Sequence, residues 1–191
     1  YLGDQTGVYR AMDKLGPATA SSIAIESQVD ERYLLEWLSS NAARGYVTYD
    51  DDSQLFSLSP EQAAVFAREN EPTCIQGLIQ GVVGQFVNQD IAIDVFKTGR
   101  GRPWGEHHEC CFCGTERFFR PAYATHLLDE WIPAMAGVEE KLSKGAKVAD
   151  IGCGLGTSSI LMAENFPNSI IHAYDFHAPS IEEARKRAES K

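Results

Sequence analysis

VADIGCGLGTSS, residues 148–159, reads as a buried strand running into a glycine-rich turn and then a helix. Val148, Ala149 and Ile151 form the short apolar run expected of a central parallel strand covered on both faces. Asp150 stands near its carboxyl end, and Gly152, Gly154 and Gly156 follow at every second position. Glycine is needed where the backbone turns sharply and where a ligand must touch the main chain. From Thr157 to Phe166 the chain reads as a helix whose first N–H groups and positive dipole end point back toward that ligand.

The phase of the glycines narrows the choice of ligand. A dinucleotide turn has the pattern Gly-x-Gly-x-x-Gly, which from Gly152 would put the third glycine at position 157, a threonine. The pattern here is Asp-x-Gly-x-Gly-x-Gly. The next strand, NSIIHAYDF, ends in Asp175, nineteen positions after Gly156. An acid there can accept both ribose hydroxyls of an adenosine, each charge-assisted bond contributing about 1.5–3 kcal/mol.

Upstream, Gln5 to Leu15 has the three-four apolar spacing of an amphipathic helix, ended by Gly16-Pro17. Thr19 caps a second helix through Ile25, and Asp30 caps a third with Tyr33, Leu34, Trp37, Leu38 and Ala42 as its apolar stripe and Gly45 as its stop. YVTYD, DDSQ and LFSLS then spell a β-hairpin, and Ser59-Pro60 opens another helix. Three helices and a hairpin are the winged-helix order, used for DNA reading or for dimerisation. Glu31 and Glu36 on the third helix and Asp50, Asp51 and Asp52 at the wing tip would repel phosphates, so a packing or dimer-forming module is expected.

Thr73 to Thr98 reads as one or two apolar helices in which Gly77, Gly81 and Gly84 permit close packing. GRGRPWGEHHECCFCG is expected to be a loop, after which helix resumes with Leu127, Leu128, Trp131 and Ile132 as buried anchors. His107, His108, Cys110, Cys111 and Cys113 are zinc-type ligands in one dense patch. They lack the second, distant pair that structural zinc takes, so no metal is expected. Five cysteines so arranged read as free thiols of a cytoplasmic protein. The net charge of -10 argues against nucleic acid, and no apolar run reaches the roughly 20 residues a bilayer needs.

With these motifs in place, the chain resembles class I S-adenosylmethionine-dependent methyltransferases that carry an amino-terminal winged-helix domain. Asp150 through Gly156 with Asp175 look like the first two motifs of that family, and RYLLEWLSSNAARGYV, LSPEQAAVFA and GTERFFRPAY look like further segments of it. The resemblance implies a mixed α/β fold: a winged helix over 1–69, a helical linker over 70–142, and from 143 to 191 the first β-α-β-α units of a Rossmann-like domain. It implies S-adenosylmethionine as cofactor. Gly152, Cys153, Gly154 and Gly156 would lie against its methionine part, Asp150 would orient its ammonium group, Asp175 would hold the ribose, and Phe176 would pack near the adenine. Phe118, Phe119, Arg120 and Tyr123 are candidates for the pocket wall.

The expected partners are a small-molecule methyl acceptor and a second copy of the chain, bound through the winged helix, with neither nucleic acid nor membrane. His107, His108 and His126 are the histidines upstream of the turn, and none is assigned a catalytic role. Because a complete domain of this kind has seven strands, the sequence is expected to be a fragment, inactive alone. The competing expectation is a ligand-sensing winged-helix transcription regulator; a nicotinamide-dependent oxidoreductase is disfavoured by the glycine phase.

Overall fold

The computed structural model describes all 191 residues, which form two compact units, 1–79 and 80–191. In the first unit the expected single opening helix is two, α1 (Leu2–Gln5) and α2 (Val8–Leu15). Gly7 between them has a φ of 77°, a left-handed conformation that ends one helix and caps the next. Helix α3 (Ala20–Ser27) starts where Thr19 Oγ1 accepts the Ser22 N–H, and α4 (Glu31–Ala43) where Asp30 Oδ1 accepts the Tyr33 N–H. Strands β1 (Thr48–Asp50) and β2 (Leu55–Ser57) pair antiparallel, and Ala18 exchanges both backbone hydrogen bonds with Phe56 to lengthen the sheet. A capping box between Ser59 and Gln62 opens α5 (Pro60–Phe66).

Met12, Ile23, Leu38 and Val47 are completely enclosed and form the centre of this unit. The inward stripe of α4 is narrower than expected. Leu34 and Leu38 are buried, whereas Tyr33 is 72% exposed, at the rim of a groove it shares with Leu2 and Val8. Helix α6 (Gln76–Val87) begins in this unit, where Gln76 Nε2 donates to the Phe66 carbonyl, and continues into the second.

In the second unit come α7 (Gln89–Thr98), a 3₁₀ turn (Trp104–Glu106) and α8 (Glu109–Ala122). The expected loop is therefore half helix: ECCFCG is the opening of α8. His108 caps it, its Nδ1 accepting the Cys110 N–H at 3.2 Å. Gly84 explains the close seating of α8, since a Cβ there would stand 2.7 Å from Cys111 Sγ and 2.9 Å from its backbone nitrogen. Pro121 lies inside α8, and the helix passes directly into a π-helical stretch, Tyr123–Trp131, before α9 (Ile132–Ala134) and α10 (Val138–Lys144). A proline has no N–H to complete the α ladder, and an i→i+5 stretch is one way to absorb that break.

Strands β3 (Lys147–Ile151) and β4 (Ile170–Tyr174) are parallel, with Asp150 opposite Ala173, and α11 (Thr157–Asn165) crosses between them; α12 (Ala178–Glu189) follows. Ile132, Leu142 and Phe166 form the core here, joined by Leu127, Leu128, Val148 and Met162. Two expectations need correction. Trp131 is too exposed to be a core anchor, and β3 is covered on one face only, with Ile151 77% exposed. The sheet has two strands, and the packed helices seat against the Val148 side.

Candidate functional site

Strand β3 delivers Asp150 to the carboxyl end of the sheet, and the turn then folds across the end of β4. The N–H groups of Gly152 and Cys153 both donate to the Tyr174 carbonyl, at 2.7 and 3.0 Å. The next free amide, that of Gly154, donates to Asp175 Oδ2 at 2.9 Å, while Asp175 Oδ1 accepts the His177 N–H at 2.8 Å. Asp175 thus ties the glycine turn to the entrance of α12. Asp150 is anchored from the helix side: its Oδ2 accepts the hydroxyls of Ser158 and Ser159 at 2.8 and 2.6 Å. Each carboxylate keeps further lone pairs for a ligand.

The three glycines do different jobs. Gly152 and Gly154 have φ values of 79° and 54°, and a Cβ on either would meet nothing within 4 Å. Their missing side chains leave room for something outside the protein. Gly156, at φ 78°, faces the other way, where a Cβ would stand 3.0 Å from that of Ala184. It lets α12 pack against the turn.

The space beside Gly152 and Gly154 is a cavity of about 270 Å³. Asp150 to Leu155 with Thr157 and Ser158 form one wall, and Trp104, Phe112, Glu116, Phe119 and Tyr123 form the opposite one. The four aromatic groups of that wall are braced by their neighbours. Trp104 meets Phe112 edge-on at 5.2 Å, and Phe112 stacks on His177 at 4.6 Å. The lining holds two carboxylates: that of Glu116 is offset by Arg120 and Arg187 outside the lining, and that of Asp150 leaves a negative charge that suits a ligand bearing positive charge.

Burial pushes the Cys153 thiol up, and the Asp150 and Asp175 carboxylates push it further, so it stays protonated and unreactive at neutral pH. Burial, and after it Asp150, raises the Tyr123 hydroxyl in the same way.

Of the residues singled out in the sequence, Asp150, Gly152, Cys153 and Gly154 line the cavity. Asp175 reaches it through Gly154, Gly156 supports the turn from behind, and Phe176 is 79% exposed and outside the lining. Phe119 and Tyr123 stand in the opposite wall as expected, but Phe118 and Arg120 do not. Trp104, Phe112, Glu116 and Ser180 were not foreseen. Phe112, Glu116, Phe119 and Tyr123 recur at helical spacing, a signal hidden while residues 109–114 read as loop. His107, His108 and His126 lie outside the lining, and no three His, Cys, Asp or Glu side chains gather as metal ligands.

Residues 1–68 match the model of the Rv2258c-like winged HTH domain, and residues 142–191 match that of a methyltransferase domain. No curated protein sequence matches the chain. Among solved structures it is similar to the mitomycin 7-O-methyltransferase MmcR (17% identity, TM-score 0.64), with 99% of this chain and 56% of that one covered. PigF with SAH is similar at 16% identity and TM-score 0.61, with 100% and 56% covered. Human N-acetylserotonin methyltransferase in complex with SAM is similar at 11% identity and TM-score 0.63, with 97% and 56% covered. The chain spans little more than half the length of these structures. In sequence order, the chain carries a winged helix-turn-helix domain over residues 1–68 and a methyltransferase-domain match over residues 142–191.

Proposed function

We propose that this chain binds S-adenosylmethionine as part of a methyltransferase acting on a small-molecule acceptor. The observation that carries the reading is the pairing of Gly154 with Asp175 beside a cavity into which Gly152 and Gly154 project no side chain. The site suits the group: backbone open to contact, a carboxylate at each strand end, and a lining whose charged side chains are acidic. Gly152 and Gly154 would lie against the methionine part, Asp150 would take the ammonium group, and Asp175 would take the ribose hydroxyls. The neighbours solved with SAM and with SAH support that cofactor.

When bound, the cofactor supplies a sulfonium methyl group for in-line displacement. The chain's own contribution is orientation: Ser158 and Ser159 fix the Asp150 carboxylate, and Asp175 fixes the turn. No side chain here is assigned the work of a general base, which is needed only for an acceptor that keeps its proton at neutral pH.

The winged helix serves association with a second copy of the chain rather than DNA. An apolar groove lined by Leu2, Val8, Val29, Leu34 and Trp37 supports the first use, and the exposed wing-tip carboxylates of Asp50, Asp51 and Asp52 oppose the second. Calorimetric titration tests the cofactor reading: S-adenosylhomocysteine binds and NADH does not. Tight NADH binding overturns it, and salt-sensitive, near-micromolar DNA binding would favour a ligand-sensing regulator.

A further inference from the structure

Glu116 is an acid in the wall facing the glycine turn, and its side chain is only 11% exposed. Two hydrogen-bond donors and a further cation converge on one of its oxygens, Oε1. The Thr157 hydroxyl donates at 3.0 Å, Arg187 Nη1 at 3.1 Å, and Arg120 Nε stands 3.3 Å away as an ion pair. Thr157 is the first residue of α11, immediately after Gly156, and Arg187 belongs to α12. One carboxylate therefore joins the helix of the aromatic wall to the helix leaving the turn and to the helix packed behind it. A hydrogen bond to a charged group in a sheltered site is stronger and better directed than a neutral one.

We propose that Glu116 is a positioning residue for the cofactor, a role that rests on the cofactor reading above. It sets the distance between the two walls: Phe112, Phe119 and Tyr123 stand on its side, and Asp150, Gly152 and Gly154 on the other. Two guanidinium groups offset its charge, so its effect on a ligand comes through geometry. Without the carboxylate, α8 and the first turn of α11 move independently and the cavity loses its fixed width. Glu116 and Thr157 lie 41 residues apart in sequence, so the tie between them is a tertiary one.

The test uses the whole chain, titrated calorimetrically with S-adenosylhomocysteine, together with hydrogen exchange of the ligand-free protein over 112–123 and 153–160. Glu116→Gln weakens binding about tenfold, as expected for loss of charge-assisted hydrogen bonds, and speeds exchange in both segments. Thr157→Val does the same, and Thr157→Ser, which keeps the hydroxyl, restores wild-type affinity. A lowered melting temperature with unchanged affinity in both Glu116→Gln and Thr157→Val would make the contact structural and overturn the proposal. Failure of the wild-type chain to bind at all would instead overturn the cofactor reading on which it rests.

Discussion

Asp175 accepts the backbone N–H of Gly154 through Oδ2 and that of His177 through Oδ1, so a single carboxylate holds both the ligand-facing turn and the start of α12. Two losses are therefore expected from Asp175→Ala: the proposed acceptor for the ribose and the turn's own support. S-adenosylhomocysteine binding should fall by at least about a hundredfold, while Asp175→Asn, which keeps one acceptor oxygen, should fall by about tenfold. Calorimetry on both variants checks the order; equal affinities across wild type and both variants would remove Asp175 from the site.

Gly152 and Gly154 make a second, separable prediction. Alanine at Gly152 must adopt a left-handed φ of 79°, at a cost of about 1–2 kcal/mol, and its methyl group enters the open space at the turn. Urea unfolding should show the modest stability loss, and titration a much larger loss of cofactor affinity. Alanine at Gly156 should reverse the balance, since its methyl group meets Ala184 rather than the cavity.

The winged helix can be tested without reference to any ligand. Leu38 is fully enclosed among Met12, Ile23 and Val47, and Leu38→Ala should cost about 2–5 kcal/mol in denaturant unfolding. A change below about 0.5 kcal/mol would show that the site collapses around the smaller side chain or is not packed as described.

Tyr9 gives a pH test of the same core. Burial, then Tyr46 and Asp4, push its hydroxyl up to about 12 from an ordinary value near 10. The native state then holds the proton more tightly than the unfolded state. Its contribution is fully present below about pH 10 and is lost as pH rises from there toward about 12. Tyr9→Phe keeps the ring that stacks on Phe66 and should flatten the stability profile over that window. An unchanged slope would mean that another group controls alkaline unfolding.

The parts of the fold readable from sequence are those fixed by local chemistry. Thr19, Asp30 and Ser59 announce their helices because each carries a side-chain acceptor for the first free N–H groups, and all three bonds are present. The glycine turn is readable because three glycines at alternate positions suit few other backbones. What escaped depends on neighbours distant in the chain. Glycine and cysteine density made 109–114 read as loop, yet Gly114 is buried inside a helix, and Gly84 serves Cys111 across 27 positions. The burial of β3 was overestimated because an apolar run cannot say how many layers cover it. Phe112 and Glu116 became visible as site residues only once α8 was known to begin at Glu109.

Apart from Ser180, the lining of the cavity comes from two separate stretches of chain, 104–123 and 150–158. Substitutions that reshape the aromatic panel can therefore accumulate without touching the glycine motif. The shape of the cavity is thus free to drift apart from the motif that marks it, so long as the panel keeps its acidic strut.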